Sequence, residues 1–434
     1  MTSALDTSAN PKAAHPVVSA TQVDEAADRL KGVARPTPIS PIERLSEALD
    51  VPVVVKREDL QPCRSFKLRG AYNRISRLSD DERQTGIVCA SAGNHAQGVA
   101  LACAELGTHG TIFLPSSTPR QKRERIQHLG GDSVDMVFVD GSFDHTQDEA
   151  QAYAQETGRV YVHPYDDPDV IAGQGTVAKE IAEELGDELG TVVIPIGGGG
   201  LVSGVAVWLK ENRPDVQIIG VDPAGAASAS AALDKGEPVD LGKVDAFVDG
   251  TAVSKIGDHT FEIIRDLVDQ VVVVPEGAVS REMLDLYHVD GIIAEPAGAL
   301  SSAAVAMVAR GELPEVELRG TTAAVISGGN NDLSRHAEVL ERSLVYQGLR
   351  HYFLVSFPQR PGALRSFLDE VLGPDDDILY FEYTKKNSRE TGPALVGIDL
   401  QRPEDIVALR KRIQESDLHI EEIDVNSELM RFLL

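Results

Sequence analysis

The sequence predicts an α/β protein, in which a two-lobed domain built on largely parallel sheets precedes a smaller α+β domain of ferredoxin-like type. Two observations carry this prediction. Short β-branched apolar runs alternate with helical patterns over residues 53–326, and such nearly continuous apolar strands are typical of parallel sheets covered by helices on both faces. After about residue 334 the pattern changes to the order βαββαβ, which describes a ferredoxin-like sandwich.

Each predicted strand of the first domain is a short apolar run bounded by Gly, Pro or Asp. These runs cover residues 53–55, 87–89, 111–114, 136–139, 160–163, 192–196, 218–221, 271–274 and 322–326. Between them, apolar side chains recur at helical spacing, as in the stretches 68–78 and 96–106. Two parallel sheets would account for these strands, with a ligand site in the crevice at their carboxyl ends.

The second domain is predicted to follow a polar helix over residues 335–346. Its strands are predicted at 352–357, 378–384, 394–400 and 420–425, and its helices at 362–372 and 403–415. The predicted domain bounds are a disordered tail over 1–15, the two-lobed domain over 16–335, and the linker helix with the ferredoxin-like domain over 336–434.

The composition describes a globular protein that acts on small molecules. The chain has 434 residues, of which 42% are hydrophobic, enough for a large buried core. A formal net charge of -27 disfavours binding to nucleic acid and to anionic membranes, so the predicted partners are small molecules and further copies of the chain. The cysteines Cys63, Cys89 and Cys103 lie in no metal-binding spacing, and neither a signal peptide nor a membrane span is recognisable. We therefore expect reduced thiols and a cytoplasmic location.

Lys67 lies among apolar neighbours in the run SFKLRG, directly before a predicted helix. A partly desolvated lysine has a lowered pKa, and its neutral amine can then attack an aldehyde. Farther along the chain, the strand 192–196 runs into Gly197, Gly198, Gly199 and Gly200 before a helix begins. Glycine allows the backbone to approach a phosphate closely, and a helix N-terminus attracts an anion. A reactive amine together with a phosphate cradle is what a pyridoxal phosphate (PLP) enzyme requires.

Each of these two features also has another interpretation. A lysine that opens a helix is most often a solvated surface residue. The spacing of Gly198, Gly200 and Gly204, with Asp222 at the end of the next strand, resembles a dinucleotide-binding fingerprint. From the residues alone, the glycine loop fits an NAD-dependent oxidoreductase as well as a PLP enzyme, although such an oxidoreductase gives Lys67 no role.

Two further loops place polar side chains at the carboxyl ends of predicted strands. The first loop consists of Ser91, Ala92, Gly93, Asn94 and His95. It precedes a helix, and the unpaired N–H groups at a helix N-terminus suit a carboxylate, although an ordinary N-cap turn is the alternative. In the second loop, the hydroxyl of Ser327 could bond the pyridine nitrogen of PLP, although a plain turn is the commoner use of such residues.

Five segments together resemble the threonine dehydratases, which belong to the tryptophan-synthase-β fold group (fold type II) of PLP enzymes. The segments are SFKLRGAYN (65–73), SAGNHAQG (91–98), GGGGL (197–201), EPAGA (295–299) and SGGN (327–330), in the order and spacing of that family. The resemblance extends over roughly residues 20–335. It makes the dinucleotide interpretation a minor alternative.

The resemblance implies a role for each matched residue. Lys67 would bind PLP covalently and, once released by the substrate, would take the α-proton. Phe66 would pack on the cofactor ring, Asn94 would bond its 3-hydroxyl, and Ser327 would face its pyridine nitrogen. Backbone N–H groups of the four glycines and of Leu201 would hold the phosphate.

The loop 91–95 would bind the substrate carboxylate, and Glu295 would border the site. Serine racemases are similar, but they carry a serine where this chain has Ala92, and that hydroxyl reprotonates the second face of the substrate. Their divalent-metal site matches only in part, because Ser228 replaces an acidic ligand near Asp222. No required metal is therefore predicted.

The segment FPQRPGAL (357–364) resembles the strand-to-helix turn of the ACT-like regulatory domain in biosynthetic threonine dehydratases, which senses isoleucine. The turn at Gly362 could receive an amino-acid carboxylate, although the domain could alternatively serve only for dimerisation.

The function implied by the resemblance is dehydration of L-threonine, and of L-serine, with release of ammonia. For threonine the product is 2-oxobutanoate, as in the first step of isoleucine biosynthesis.

Feedback inhibition by isoleucine is implied as well, with valine as a second candidate effector, in a homo-oligomer for which a tetramer is favoured. Other enzymes of the same fold remain alternatives, namely a serine or 3-hydroxyaspartate dehydratase and a serine racemase.

Overall fold

The computed structural model describes residues 15, 17–141, 143–385, 390–425 and 427–433. The chain divides into two compact units. The first comprises Met1–Glu276 and Asp285–Asn331, and the second comprises Gly277–Leu284 and Asp332–Leu434. The tail predicted for residues 1–15 lies, apart from His15, outside the described residues.

Helices and strands alternate along the first unit, as the sequence predicts, and the elements that begin after residue 331 belong to the second unit. The helices are α1 (Ala20–Leu30), α2 (Glu43–Leu49), α3 (Lys67–Ser76), α4 (Asp80–Thr85), α5 (Asn94–Leu106), α6 (Arg120–Gly130), α7 (Phe143–Thr157), α8 (Pro168–Leu185), α9 (Gly200–Asn212), α10 (Ser228–Lys235), α11 (Asp258–Leu267), α12 (Glu276–His288), α13 (Pro296–Ala309), α14 (His336–Tyr346), α15 (Ala363–Glu370), α16 (Ile406–Glu415) and α17 (Glu428–Leu433). The strands are β1 (Ile39–Pro41), β2 (Val53–Arg57), β3 (Ile87–Ala90), β4 (Gly110–Pro115), β5 (Val134–Val139), β6 (Val160–Tyr161), β7 (Leu189–Pro195), β8 (Gln217–Pro223), β9 (Gln270–Val274), β10 (Thr321–Ile326), β11 (Arg350–Pro358), β12 (Asp377–Tyr383), β13 (Thr391–Asp399) and β14 (His419–Glu422).

Two sheets form the framework of the first unit. The six-stranded sheet has the order β1-β2-β10-β7-β8-β9, and the four-stranded sheet has the order β5-β4-β3-β6. Every pairing in them is parallel except that of β1 with β2. The predicted fold class of two parallel sheets under helices is therefore confirmed, and the antiparallel edge strand β1 is an addition to it.

Each sheet of the first unit has its own hydrophobic core. The core of the six-stranded sheet includes Val192, Ile194 and Val205, and that of the four-stranded sheet includes Ile87 and Val99. The strands β3 and β10 are buried at every residue, as expected for strands that carry helices on both faces. The carboxyl ends of β3, β7 and β10 each lead directly into one of the loops predicted to carry function.

The second unit contains an antiparallel sheet with the order β12-β13-β11-β14. Along the chain, its elements follow the predicted order βαββαβ, with α15 and α16 as the two helices. Phe353, Phe367, Val396 and Leu409 belong to one buried cluster between the sheet and these helices. The ferredoxin-like prediction is confirmed, and the short helix α17 was not predicted.

Two further properties concern membranes and thiols. Within the described ranges, no helix combines the length and the apolar character that crossing a membrane requires. Cys63, Cys89 and Cys103 are free thiols, and all three are buried.

Candidate active site

The glycine loop connects β7 to α9. Gly199 lies just before the helix with φ at +90°, a backbone conformation that favours glycine, and no side chain caps the helix there. A Cβ on Gly198 would stand 2.2 Å from Cγ of Tyr165, and one on Gly197 would stand 2.9 Å from Cα of Thr251. Only glycine fits at these two positions, so the loop exposes backbone N–H groups at a helix N-terminus.

Lys67 is the first residue of α3, and its amine lies beside the Phe66 ring. The amine nitrogen Nζ lies 5.3 Å from the ring centroid and donates a hydrogen bond to the carbonyl oxygen of Pro164 at 2.7 Å. Burial lowers the pKa of Lys67 to about 8, partly opposed by the negative charge of Glu295. A substantial fraction of this lysine is therefore neutral, and hence nucleophilic, at weakly alkaline pH.

These two features face one cavity of the first unit. Its walls come from α3, from the loops after β3, β7 and β10, and from three other segments of the first unit. The lining residues are Phe66, Lys67, Asn94, Tyr165, Pro195, Gly197, Gly198, Gly199, Gly200, Leu201, Gly250, Thr251, Glu295, Ala297 and Ser327.

Ser327 and Asn94 contribute polar atoms to the cavity wall. The hydroxyl of Ser327 donates to the carbonyl oxygen of Ala297 at 3.1 Å, and Ser327 is almost fully buried. Asn94 opens α5, and its amide nitrogen Nδ2 donates to Oε1 of Glu295 at 2.6 Å. The sequence placed both residues at strand ends, and the structure brings them to the same cavity as Lys67.

The rest of the loop 91–95 is arranged differently. Ser91 accepts a hydrogen bond from the N–H of Gly93 at 3.2 Å, and residues 91–94 are partly exposed. The His95 ring instead lies in the protein interior, where Nε2 donates to the carbonyl oxygen of Val162 at 2.9 Å. Burial, together with the nearby positive charge of Lys67, lowers the pKa of His95 to about 3, so this ring is neutral. Ser91, Ala92, Gly93 and His95 are not among the residues that line the cavity.

Sequence reasoning missed Tyr165, Gly250 and Thr251 as cavity residues. Tyr165 follows β6 closely, and its ring packs edge-on against His163, with ring centroids 4.7 Å apart. The ring nitrogen Nδ1 of His163 accepts from the N–H of Asp166 at 2.8 Å, which fixes the segment between them. Pro164, directly after the predicted strand 160–163, was the available signal, because proline marks a turn at the carboxyl end of a strand.

Asp222 does not occupy the position that a dinucleotide site requires. It is fully buried, and its Oδ2 accepts hydrogen bonds from the backbone N–H and the hydroxyl of Ser230, at 2.8 and 2.9 Å. Burial raises the pKa of Asp222 to about 7. A carboxyl group enclosed in this way is not accessible to a ribose hydroxyl.

In the described part of the chain, no group of three or more His, Cys, Asp or Glu side chains is arranged to hold a metal ion.

The residues of the cavity fit PLP. A phosphate needs several N–H donors and close backbone approach, and the glycine loop provides both. An aldehyde needs a neutral amine, and Lys67 provides one. The hydroxyl of Ser327 is a neutral partner for a ring nitrogen, and the Phe66 ring beside the amine offers an apolar surface.

Two family models match the chain. The model described as "Pyridoxal-phosphate dependent enzyme" matches residues 30–328. The model described as "C-terminal regulatory domain of Threonine dehydratase" matches residues 341–433. The two matches fall on the two predicted domains in order.

Curated relatives and solved structures agree with these matches. The L-threonine dehydratase biosynthetic IlvA of Mycobacterium tuberculosis (strain ATCC 25618 / H37Rv) is 50% identical over 419 residues, which are 96% of each chain. The protein of the same name from Bacillus subtilis (strain 168) is 47% identical over 94% of this chain and 96% of its own. The processed form of threonine deaminase isoform 2 from Solanum lycopersicum aligns with a TM-score of 0.71 and 37% identity, over 79% of this chain and 94% of its own. The chain therefore belongs to the family of pyridoxal-phosphate dependent enzymes and carries the C-terminal regulatory domain of the threonine dehydratases.

Proposed function

We propose that this chain is a PLP-dependent threonine dehydratase. It removes water from L-threonine, and from L-serine, and releases ammonia. With threonine the other product is 2-oxobutanoate, the first intermediate on the route to isoleucine. The observation that carries the proposal is that the partly buried Lys67 amine lies at a cavity that a glycine cradle at a helix N-terminus also lines. The names of the curated relatives, L-threonine dehydratase biosynthetic IlvA, support the dehydration of L-threonine.

Lys67 is the residue that moves the proton in this proposal. When bound, PLP supplies an electron-withdrawing ring that acidifies the α-hydrogen of an attached amino acid. Lys67 would hold the cofactor covalently in the resting enzyme, and its amine, once released, would take the α-proton of the substrate. Its lowered pKa of about 8 supports this role, because a general base works best when its pKa lies near the working pH.

The other cavity residues bind and orient. The cavity lining provides the N–H groups of Gly197, Gly198, Gly199, Gly200 and Leu201, which would hold the phosphate. The Phe66 ring would pack on the cofactor ring, and the Asn94 amide would bond the 3-hydroxyl. Ser327 carries no charge, so it cannot stabilise a proton on the pyridine nitrogen as a carboxylate would. This arrangement favours prompt loss of the β-hydroxyl over chemistry that needs a long-lived carbanion.

The loop 91–95 is assigned to the substrate carboxylate. Residues 91–94 are partly exposed just before α5, where the first N–H groups of the helix have no side-chain cap. Ala92 in this loop has no group that can carry a proton. It therefore cannot return a proton to the second face of the substrate, which disfavours racemisation.

We also propose that isoleucine, with valine as a second candidate, inhibits the enzyme through the C-terminal domain. The match of residues 341–433 to the regulatory domain of threonine dehydratase supports this.

The protein is further proposed to be a homo-oligomer in the cytoplasm, with a tetramer as the favoured assembly. Buried free thiols support the location, and apolar side chains exposed along β12 support self-association. Sedimentation of the holoenzyme would test for a particle of four 46.6 kDa chains.

The function is tested by the products formed from L-threonine and L-serine, with and without isoleucine. We expect ammonia and a 2-oxo acid from both substrates, and no D-serine from L-serine.

Lys67→Ala should lower turnover by at least about a thousandfold, because both the covalent anchor and the base are lost. Lys31→Ala is the matched control, since the Lys31 side chain is 78% exposed. Substantial turnover by Lys67→Ala would refute the assignment.

A further inference from the structure

A chain of side-chain hydrogen bonds runs from Asn330 through Asn94 to Glu295. Nδ2 of Asn330 donates to Oδ1 of Asn94 at 2.8 Å, and Nδ2 of Asn94 donates to Oε1 of Glu295 at 2.6 Å. Nδ2 of Asn330 also donates to the carbonyl oxygen of Cys63 at 2.9 Å. A backbone carbonyl only accepts, so the bond to Cys63 fixes which end of the Asn330 amide is the NH₂ group.

The orientation of the Asn94 amide follows from its two partners. With the NH₂ group of Asn330 on one side, the oxygen of Asn94 must face it, and the nitrogen of Asn94 faces Glu295. An amide nitrogen carries two N–H groups, and Glu295 accepts from one of them. The second N–H is left for a ligand in the cavity that Asn94 lines.

Glu295 is held firmly in place by backbone on both sides. Its N–H donates to the carbonyl oxygen of Gly328 at 3.1 Å, and its carbonyl oxygen accepts from the N–H of Ala299 in the first turn of α13 at 2.9 Å. The carboxylate also accepts from the backbone N–H of Asn330. A Cβ on Gly328 would stand 2.0 Å from Oε1 of Glu295, so the carboxylate occupies space that only a glycine leaves free.

The charge of Glu295 is less important here than its acceptor oxygen. The residue is 4% exposed, and burial together with the charge of Asp249 raises its pKa to about 7, against the opposing effects of Asn94 and Lys122. A carboxyl group keeps at least one acceptor oxygen in either protonation state. The bond from Asn94 therefore persists whether or not Glu295 is ionised.

We propose that Glu295 is a positioning residue, which orients the Asn94 amide so that Asn94 presents an N–H, and not its carbonyl oxygen, to the 3-oxygen of the cofactor. This inference rests on the proposed function, since it takes Asn94 as the partner of that oxygen. An N–H stabilises an oxygen that bears negative charge, whereas a carbonyl oxygen at the same distance repels it. Glu295 thus acts on the cofactor through Asn94.

The test measures cofactor binding and spectrum rather than turnover. Apoprotein is titrated with PLP, the dissociation constant is obtained from absorbance at about 410 nm, and the pH midpoint of that band is recorded. Glu295→Ala should weaken PLP binding by about 10-fold to 100-fold, the loss expected for one hydrogen bond to a charged group, and should shift the midpoint. Glu295→Gln keeps an acceptor oxygen and should have the smaller effect.

A double-mutant cycle separates positioning from general support of the fold. In an Asn94→Ala background, Glu295→Ala should cause no further loss of PLP affinity, because the Asn94 amide through which Glu295 acts is already absent. Equal losses in the two backgrounds would overturn the proposal, as would an unchanged midpoint in Glu295→Ala. Should Asn94→Ala alone leave affinity and midpoint unchanged, the placement of Asn94 at the cofactor fails, and the inference fails with it.

Glu276→Ala is the control for loss of a hydrogen-bonded carboxylate, although Glu276 is only partly buried. Oε1 of Glu276 accepts from the N–H of Gly225 at 2.6 Å, and Glu276 does not line the cavity. This variant should bind PLP as the parent does. Thermal unfolding of each apoprotein accompanies the titrations, and a loss of PLP affinity in Glu276→Ala equal to that in Glu295→Ala would also overturn the proposal.

Discussion

The Lys67 amine lies in a buried environment that destabilises its positively charged form. Burial lowers its pKa to about 8, and the charge of Glu295 offsets only part of that effect. The acceptor of its hydrogen bond is the neutral carbonyl oxygen of Pro164, which can accept from the charged and from the neutral amine alike. The neutral form, which reacts with aldehydes, is therefore populated well below the ordinary lysine pKa of 10.5.

The pH dependence of cofactor attachment should report this lowered pKa. Deprotonation activates the amine, so the rate at which PLP attaches to apoprotein should rise with pH and level off above about 8, as expected for a lysine whose pKa is lowered to that value. Stopped-flow absorbance at about 410 nm measures this rate. A lysine-containing peptide serves as the reference, and its rate should keep rising to about pH 10. A protein whose profile follows that of the peptide would contradict the lowered pKa.

Gly198 offers a second test at the scale of one residue. Because a Cβ there would stand 2.2 Å from Cγ of Tyr165, Gly198→Ala must displace the tyrosine ring or the loop. We expect PLP affinity to fall by about tenfold or more, the equivalent of 1.4 kcal/mol, as measured by titration of the apoprotein. Gly236→Ala is the control, because Gly236 ends α10 with φ at +81° and has nothing within 4 Å of its Cβ position. The control should lose thermal stability but no PLP affinity, and equal affinity losses would count against a specific close approach.

At the scale of elements, the start of α3 is held by a buried ion-pair network. Arg69, 1% exposed, donates from Nη2 to Oε1 of Glu58 at 2.8 Å and from Nη1 to Oε1 of Glu180 on α8 at 2.6 Å. Lys56 on β2 pairs with the same Glu180 at 2.6 Å. Burial raises the pKa of Glu58, but the charge and hydrogen bonds of Arg69, together with Lys56 and Thr37, outweigh burial and lower it overall. Since Lys67 lies two residues before Arg69, this network anchors the helix that carries the reactive amine.

Replacing Arg69 by lysine should show what the network contributes. Lysine keeps the charge but cannot bond two carboxylates in a planar fork, so Glu58 or Glu180 loses a partner in a buried site. We expect Arg69→Lys to reduce the free energy of unfolding by about 3 kcal/mol, measured by denaturant titration of the apoprotein. Arg120→Lys makes the same change in a pair whose arginine is 84% exposed, and it should have almost no effect. Similar values for the two variants would argue against the network as an anchor.

The elements themselves were predicted well wherever their pattern was strong. The strands β3, β7 and β10 are continuous apolar runs, and the loops after them were assigned from glycine and helix-start signals. β1 was missed because a strand of three residues has no periodicity to detect. Thr251 was missed because residues 237–257 contain no helix or strand, so only tertiary folding reveals its approach to Gly197. His95 lies on a correctly predicted helix, but its inward rotamer depends on the carbonyl of Val162, which the local sequence does not specify.

At the scale of the whole molecule, each of the two units has its own hydrophobic core and its own proposed task. The C-terminal sheet exposes apolar side chains on its edge strand β12, where Leu379 is 49% and Phe381 is 37% exposed. The turn before α15 is exposed as well, and Gly362 in it has φ at +91°. These features suit a domain that binds an effector and further copies of itself.

Inhibition by isoleucine should depend on the Gly362 turn. An alanine held in the left-handed region costs about 1–2 kcal/mol, so Gly362→Ala should distort the turn and raise the isoleucine concentration for half inhibition by about tenfold. Threonine turnover without isoleucine should be unchanged. Gly348→Ala is the matched control, because Gly348 lies in the same unit with φ at +68°. Inhibition shifted equally in both variants, or in neither, would contradict the assignment of the turn.

The burial of every thiol has a practical consequence for chemical labelling. Cys63, Cys89 and Cys103 are each 0% exposed, and burial raises the pKa of Cys63. Maleimides and iodoacetamides react with accessible thiolates, so the native protein should take up such reagents very slowly. A single cysteine introduced on the surface would then carry a fluorophore by itself, and motions of either unit could be followed without first removing a native sulfur.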